Sequence, residues 1–282
     1  MDGRARAPAA GTVLNALATG YGSAFAIDRH VTAEVTLGGE TVRGEIADHP
    51  NADTSLVERA VELVLERFGT GGGATVRTES EVPLASGLKS SSAAANAAVL
   101  GTLSAIRETD SVSREEAARI GVRAARDAGV TVTGAFDDAS ASMLGGLTIT
   151  DNTEDALIER ENVDWEVAVW MPPEQEFSAE ANVERCERIA PIAEAVRELA
   201  MEGRYETAMT INGFAYAAAL ERPSEPMIEA LPAAAGVSLS GTGPSYVAVG
   251  DPPGIDSVTR RWEKRKGKTV RTRTQTDGAI VE

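Results

Sequence analysis

The segment PLASGLKSSSAAANAAVLG, from Pro83 to Gly101, joins a Gly/Ser-rich loop directly to an Ala-rich helical pattern. The helical part is apolar on nearly all sides, which is typical of a buried helix. Three consecutive serines, Ser90 to Ser92, stand at the predicted helix start. Because a helix N-terminus carries unpaired N–H groups and a partial positive charge, this segment predicts an anion site.

Serine is also a preferred helix-capping residue, so a capped helix without a ligand is the alternative interpretation. Three serines exceed what capping needs, Gly87 permits close approach of the backbone to a phosphate, and Lys89 can add a point charge. The G-x-x-x-x-G-K-[ST] spacing of a Walker loop is absent from the sequence. We therefore predict a phosphate loop of another kind. Its candidate residues are Pro83, Leu84, Ala85, Ser86, Gly87, Leu88, Lys89, Ser90, Ser91, Ser92 and Ala93.

A pair of adjacent carboxylates, Asp137 and Asp138, follows in the segment TVTGAFDDASASMLGG, from Thr131 to Gly146. Glycines on both sides of the pair predict that it lies in a loop. A phosphotransferase needs a carboxylate that orients the acceptor hydroxyl and takes its proton. Two neighbouring carboxylates also raise each other's pKa when they are partly buried. For Asp138 the alternative is a structural role as the cap of a helix beginning at Ala139.

The second half of the chain predicts the order β-α-β-β-α-β, with the first helix doubled and broken near Gly203. This order is the split βαβ arrangement of ferredoxin-like folds. The polar stretch from Asp151 to Asn162 separates it from the first half. We therefore predict an α+β protein with two domains. These are a mixed α/β domain at residues 1–155 and a ferredoxin-like domain at residues 156–282.

Two alternating segments near the N-terminus, Val31–Leu37 and Thr41–Ile46, predict β-strands. The Gly38-Gly39 pair between them is typical of a tight turn. The sequence therefore predicts that these two strands form a hairpin.

The composition indicates an acidic protein poor in lysine. The 282 residues carry a formal net charge of -16, and the pI is near 4.7. Self-repulsion of this size is screened in concentrated salt, so we predict a halophilic host, with an ordinary acidic cytosolic protein as the alternative. The acidic surface excludes broad nucleic-acid binding. The one basic segment, RRWEKRKGKTVRTRT, is interpreted as a solvated face.

The sequence also limits location, metal chemistry and partners. The N-terminus lacks the apolar stretch of a signal peptide, and the most apolar run, Ala93 to Ile106, is too short to span a bilayer. One cysteine, Cys186, excludes an internal disulfide, and with two histidines it makes a zinc site implausible. We predict a cytoplasmic monomer or homodimer that binds small molecules and neither nucleic acid nor membranes.

The segment PLASGLKSSSAA resembles the second signature of the GHMP kinases, P-x-x-x-G-L-G-S-S-A-A. In that family, which includes galactokinase, homoserine kinase and mevalonate kinase, this loop wraps the nucleotide phosphates. The resemblance implies ATP and Mg²⁺ as cofactors. Lys89 stands where the third glycine of the signature is usual, and the serine run is one residue longer. Ser91 and Ser92 therefore remain alternatives for the magnesium-contacting serine.

The G-A-F-D element, Gly134 to Asp137, is similar to the G-x-x-D element that carries the catalytic aspartate of the family. The resemblance implies that Asp137 is the base or the orienting carboxylate. Asp127 lies at a distance from Asp137 that resembles the spacing of the family's metal-binding acid. We name Asp127 as a magnesium candidate, with a solvated aspartate at a helix end as the alternative.

The segment SLSGTGPSYVAVG, Ser238 to Gly250, resembles the third GHMP signature, which lies beside the nucleotide and the acceptor. The segment RAPAAGTVLNALATGYGSAFAID, Arg6 to Asp28, corresponds to the first signature but lacks its usual Gly-Glu pair. The resemblance implies a set of candidate substrate residues in these two segments. They are Asn15, Thr19, Gly20, Gly241, Thr242 and Gly243.

The sequences of all four segments resemble those of the archaeal shikimate kinases, and the resemblance extends over nearly the whole chain. This resemblance implies ATP-dependent phosphorylation of the 3-hydroxyl of shikimate, a step towards chorismate and the aromatic amino acids. One alternative keeps the fold and changes the acceptor to homoserine, mevalonate or another small alcohol. The other is a catalytically inactive GHMP-like binding protein.

Overall fold

The computed structural model describes residues 1–83, 86–131, 134–173 and 182–282. The strands are β1 (Asp2–Leu14), β2 (Tyr21–Leu37), β3 (Val42–Ile46), β4 (Ala74–Ser80), β5 (Leu147–Asp151), β6 (Ala156–Glu161), β7 (Glu166–Met171), β8 (Gly236–Leu239), β9 (Tyr246–Gly250), β10 (Lys268–Arg273) and β11 (Ile280–Val281). The helices are α1 (Ser55–Phe68), α2 (Ser90–Ala105), α3 (Arg114–Asp127), α4 (Phe136–Leu144), α5 (Val183–Glu187), α6 (Ala190–Met201), α7 (Tyr205–Ala219), α8 (Glu225–Ala230) and α9 (Pro252–Trp262).

The larger sheet is organised around the long strand β2, in the order β11-β1-β2-β4-β3. Because β2 has 17 residues, it can hold two partners along the edge opposite β1. Its first part, Tyr21 to Phe25, pairs with β5, and its last part, Val31 to Leu37, pairs with β4. Strand β6 pairs with β5.

The hairpin predicted at Gly38-Gly39 is wrong, although both strands exist. Strand β4 lies between β2 and β3, and β3 pairs with β4 in parallel. Helix α1 connects β3 to β4, so the local unit is a βαβ crossover rather than a hairpin. The alternating residues predicted where β2 and β3 lie in the sequence. Their pairing partner is β4, a later segment of the chain, which this local pattern could not indicate.

The smaller sheet is antiparallel and has the order β10-β7-β9-β8. Numbered within this half of the chain, the order is 4-1-3-2, which is the ferredoxin-like arrangement. The predicted break near Gly203 is confirmed, because α6 ends at Met201 and α7 begins at Tyr205. The α+β fold class is therefore confirmed.

The β5–β6 hairpin joins the two halves of the chain. The predicted domain boundary after Asp155 lies in its turn, and β6 pairs within the larger sheet. The C-terminal strand β11 also returns to the larger sheet, where it pairs with β1. The division into domains at residues 1–155 and 156–282 stays a prediction.

Three large apolar clusters and a small one of three alanines hold the described residues together. The first lies between the larger sheet and helices α1 to α4, and α2 is buried there along most of its length. The second lies between the two sheets, where Phe25 packs edge-on against Trp165. The third covers the other face of the smaller sheet with α7 and α9. Because α2 is held on several sides, its N-terminus is rigidly placed.

Within the described residues, no helix combines the length and the apolar character needed to cross a bilayer.

Candidate active site

A cavity of about 660 Å³ brings the predicted loops together. Its wall includes the start of α2, the first turn of α4, the turn after β1 and the Gly-rich turn between β8 and β9. The remaining wall is formed by the start of α1, by the C-terminal end of β4, by the C-terminal part of α3 and by single residues of β2 and β3. Four predicted segments that are far apart in the sequence therefore meet in one concave site.

The helix start predicted as an anion site lines this cavity. Helix α2 begins at Ser90, and Ser90, Ser91 and Ser92 are respectively buried, exposed and half-buried. The first intrahelical hydrogen bond runs from the N–H of Ala93 to the carbonyl of Lys89, at 3.1 Å. The N–H groups before Ala93 have no acceptor within the helix and can bind an anion.

The other predicted phosphate-loop residues divide into two groups. Ser86, Gly87 and Lys89 line the cavity, whereas Leu88 and Ala93 are buried in the core. Pro83 accepts a hydrogen bond from the hydroxyl of Ser86 at its carbonyl, at 2.8 Å. Leu84 and Ala85 lie outside the described residues.

The absence of a side chain at Gly87 has a packing role in the structure. Its φ is +77°, and a Cβ atom there would lie 2.6 Å from the carbonyl oxygen of Ser240 and 2.7 Å from that of Gly243. The hydroxyl of Ser240 also donates to the carbonyl of Gly87, at 2.8 Å. The missing side chain therefore lets the phosphate loop pack against the Gly-rich turn between β8 and β9.

The two carboxylates lie in the first turn of α4 rather than in a loop. The helix begins at Phe136, and Ala135, at φ 53°, is the residue that precedes it. The alternative interpretation, in which Asp138 caps a helix beginning at Ala139, is therefore wrong. Both carboxylates are acidic residues of a first helical turn, where the helix dipole stabilises negative charge.

Asp137 is 5% exposed and is held by Asn152, which follows β5. The side-chain amide of Asn152 donates to Oδ1 of Asp137 at 2.8 Å, and its carbonyl oxygen accepts from the N–H of Asp137 at 3.1 Å. A Cβ atom on Gly22 would lie 2.5 Å from Oδ2 of Asp137, so the glycine makes room for the carboxylate. Asn152 and the space at Gly22 thus fix the position of the Asp137 carboxylate, and Asp137 lines the cavity.

Asp138 is paired with Lys89. The ammonium of Lys89 lies 2.9 Å from Oδ1 and 3.1 Å from Oδ2 of Asp138. Burial raises the pKa of Asp138, and the charge of Asp137 raises it further, while the ammonium of Lys89 acts in the opposite direction. The pair ties the phosphate loop to the first turn of α4.

The turn after β1 is held by buried hydrogen bonds from α7. The N–H of Asn15 donates to the side chain of Asn212 at 3.0 Å, and the hydroxyl of Tyr216 donates to the carbonyl of Asn15 at 2.7 Å. The amide of Asn15 donates to the carbonyl of Gly241 at 2.9 Å. Asn15 and Gly241 thus connect the first and third signature segments. Burial raises the pKa of Tyr216, which keeps it a donor.

The other predicted substrate residues lie at different places. Thr242 lines the cavity beside Gly241, whereas Gly243 packs against the side chain of Leu239. Thr19 accepts a hydrogen bond from the N–H of Tyr21 at 3.4 Å, and Gly20 packs against Thr153. Neither Thr19 nor Gly20 is among the described residues that line the cavity.

Asp127 lies outside the cavity wall, in contrast to the sequence-based prediction. It ends α3, and its carboxylate accepts a hydrogen bond from Arg59 on α1 at 2.8 Å. Arg59 also pairs with Glu62 and Glu66. Asp127 therefore belongs to a surface ion-pair network. This position agrees with the alternative interpretation, a solvated aspartate at a helix end.

The far end of the cavity is apolar. Side chains from α1 and α3 line it together with strand residues from β2 and β3. They include Val31, Ile46, Leu56, Val57, Val122, Ala125 and Val130. A flat apolar group such as a nucleotide base fits this kind of surface.

The donor set of the cavity fits a magnesium ion shared with phosphates. Ser91 and Ser92 supply hydroxyl oxygens beside the helix start, and the carboxylates on the wall are Asp53, Asp137 and Asp138. Mg²⁺ takes oxygen ligands, keeps several waters and usually has few protein ligands. In the described parts of the chain, no group of three or more His, Cys, Asp or Glu side chains forms a dedicated metal cage.

Asn152, Asn212 and Tyr216 were missed by sequence reasoning. Asn152 follows a short strand and belongs to no signature, and the other two lie on a helix that reads as apolar. Their partners are 15, 197 and 201 residues away, so no local pattern could have found them.

Comparison with known proteins identifies the family. Residues 55–146 match the family model described as GHMP kinases N terminal domain. A shikimate kinase of Halobacterium salinarum is 63% identical over 281 residues, which cover 99% of both chains. A shikimate kinase of Methanosarcina mazei is 50% identical over 285 residues, which cover 99% of this chain and 97% of the relative. The prediction of a halophilic host agrees with the source of the first of these.

Solved structures agree on the fold. Mevalonate kinase of Methanococcus jannaschii has a TM-score of 0.79 at 13% identity and covers 96% of this chain and 98% of its own. Homoserine kinase of Cytophaga hutchinsonii has a TM-score of 0.77 at 17% identity and covers 100% and 97%. Sequence identity over nearly the whole length and the shared fold together show that this chain belongs to the archaeal shikimate kinase family of the GHMP kinases.

Proposed function

We propose that the protein transfers the γ-phosphoryl group of ATP to the 3-hydroxyl of shikimate, giving shikimate 3-phosphate and ADP. The observation that carries this proposal is the meeting of the Ser90 to Ser92 helix start and the Asp137 carboxylate in one cavity. A phosphoryl donor and a hydroxyl acceptor need these two features side by side.

The cavity supports a defined orientation of ATP. Its apolar end suits the adenine base, and the start of α2 suits the phosphates. The N–H groups of the first helical turn stabilise the negative charge of the phosphates. Mg²⁺ would supply further neutralisation of the phosphate charge, and we propose Ser91 or Ser92 as the residue that would hold it.

Asp137 is the proposed orienting carboxylate. One of its oxygens is held by Asn152, so the other can accept a hydrogen bond from the acceptor hydroxyl. The hydroxyl oxygen then bonds to the γ-phosphorus, the bond to the bridging oxygen of ADP breaks, and the hydroxyl proton passes to Asp137. Because the hydrogen bonds from Asn152 already hold Asp137 in place, the carboxylate does not have to be ordered during the reaction.

The acceptor is proposed from the relatives, which are named shikimate kinase along nearly the whole chain. The turn at Asn15, which lacks the Gly-Glu pair usual in the first signature, favours shikimate over homoserine or mevalonate. We also propose that the protein works in the cytoplasm, where ATP is supplied.

The test is ADP release by purified protein in high salt, with shikimate compared with homoserine, mevalonate and a panel of other alcohols. We expect release that depends on shikimate and the appearance of shikimate 3-phosphate. ADP release with another alcohol and not with shikimate would show that the protein is a kinase with a different acceptor. ATP binding without release for any alcohol would favour the inactive binding protein.

A further inference from the structure

The ammonium of Lys89 lies between three segments of the cavity wall. Lys89 precedes α2 in the phosphate loop, and its ammonium lies 2.9 Å from Oδ1 of Asp138 in α4. A Cβ atom on Gly241, in the turn between β8 and β9, would lie 2.8 Å from the same ammonium. One charged group therefore contacts the phosphate loop, the carboxylate helix and the third signature turn.

This ion pair is largely removed from solvent. The side chain of Lys89 is 9% exposed, and that of Asp138 is 12% exposed. Removing one member of such a pair leaves an uncompensated buried charge, which is far more disruptive than removing both. The two residues should therefore act as a unit.

The backbone of Lys89 indicates that its side chain is needed. Its φ is 63°, a left-handed conformation that favours glycine and is uncommon for a residue with a Cβ atom. A conformation of this kind persists where the surroundings hold it in place, and such sites cluster where function requires them. Glycine would fill this backbone position without strain, so the ammonium accounts for the lysine.

The charge balance of the cavity points the same way. Among the described residues that line it, Lys89 is the one Lys or Arg, whereas three carboxylates, Asp53, Asp137 and Asp138, lie on the same wall. ATP and shikimate are both anions, so an unbalanced pair of carboxylates beside the transferred phosphoryl group would repel them.

We propose that Lys89 is a positioning residue for phosphoryl transfer, which acts through its ion pair with Asp138. The pair holds the start of α2 and the first turn of α4 at a fixed separation, and so brings the bound phosphates and Asp137 into register. This inference rests on the proposed function, and it adds to that function a role for two residues that the reaction itself leaves unused.

The experiment compares Lys89→Met, Asp138→Asn and the double variant, with Lys264→Met as the matched control. Lys264 is an exposed lysine that precedes β10, so its loss removes the same charge far from the pair. For each protein, kcat, the KM for both substrates, the ATP affinity by calorimetry and the melting temperature are measured.

We expect each single variant to lower kcat by about 100-fold, since a misplacement of about 1 Å has an effect of this size. The double variant should be no slower than the slower single variant, because the second change removes an interaction already lost. Its melting temperature should exceed that of Lys89→Met, which leaves a buried carboxylate unpaired. Lys264→Met should match the wild type.

Two results would overturn the proposal. Losses in kcat that multiply in the double variant would show that Lys89 and Asp138 act independently. An unchanged kcat with weaker ATP binding in Lys89→Met would make Lys89 a simple phosphate contact. If wild-type protein turns over no acceptor, the proposed function fails instead. The melting temperatures and ATP affinities of the wild type, the two single variants at the pair and the double variant then still show whether Lys89 and Asp138 are coupled.

Discussion

The two ends of the cavity are built on different principles. At the polar end, Asp137, Asp138 and Lys89 each have a specific partner at hydrogen-bond or ion-pair distance. At the apolar end, residues such as Val122 and Ala125 provide only surface and shape. Directional contacts fix where atoms react, whereas apolar walls fix how tightly a flat group is held. Substitutions at the polar end should therefore change kcat, and substitutions at the apolar end should change KM.

Asp137→Asn should produce the largest effect. The amide has nearly the same shape as the carboxylate but cannot take the hydroxyl proton. We expect kcat to fall by roughly 1,000-fold, within the range found for acid–base groups, and the ATP dissociation constant to stay within a few fold. Steady-state assays and ATP calorimetry separate the two quantities. Comparable turnover in the variant and the wild type would remove Asp137 from the mechanism.

Ser91→Ala and Ser92→Ala should show which serine contacts magnesium. Each change removes a hydroxyl and keeps the backbone N–H donors of α2. The serine that contacts the metal should raise the magnesium concentration needed for half-maximal rate about 10-fold, since a hard cation loses one of its few protein ligands. The other variant should resemble a lost cap, with a stability loss of about 1 kcal/mol. Equal magnesium titrations for both variants and the wild type would show that neither hydroxyl contacts the metal.

Ala125→Leu should weaken ATP binding without slowing the chemical step. Ala125 is half-buried and lines the apolar end, so a larger side chain fills space that the base would occupy. We expect the KM for ATP to rise about 10-fold with kcat nearly unchanged, as for a loss of uniform binding. Arg123→Leu is the matched control, because it adds the same residue at an exposed position of the same helix. A lower kcat with an unchanged KM would mean that the two ends of the cavity do not act separately.

The sequence predicted the residue types at the polar end better than their contacts. The serine run and the two aspartates were found because they interrupt otherwise apolar or small-residue segments. The Lys89–Asp138 pair joins residues 49 positions apart. Asn152, which binds Asp137, follows a strand and belongs to no sequence motif. Such contacts depend on which elements become neighbours, and no local periodicity carries that information.

The fold shows the same division. The β-α-β-β-α-β order predicted the smaller sheet, because its short strands are separated by helices or, between β8 and β9, by a Gly-rich turn. Strand β1 and the first part of β2 were missed as strands, since alanine and glycine, which have low β-propensity, recur in both segments. Their burial between α2 and the smaller sheet overrides that propensity. The prediction of a hairpin at Gly38-Gly39 was wrong because β4 pairs with β2 in place of β3. Strand β4 begins 37 residues after the end of β2.

Asp127→Asn should have the smallest effect, because Asp127 belongs to neither end of the cavity. Its side chain is 37% exposed and pairs with Arg59, which keeps Glu62 and Glu66 as partners when Asp127 is neutral. Exposed ion pairs contribute about 0 to 1 kcal/mol, and salt reduces this further, so we expect a small loss of stability at low salt that disappears at high salt. The magnesium titration and kcat should match the wild type. Thermal melts across a potassium chloride series and a magnesium titration at saturating ATP measure both quantities. A raised magnesium requirement would make Asp127 a metal ligand, and the polar end would then extend to α3, beyond the wall that Asp137 and Ser90 to Ser92 define.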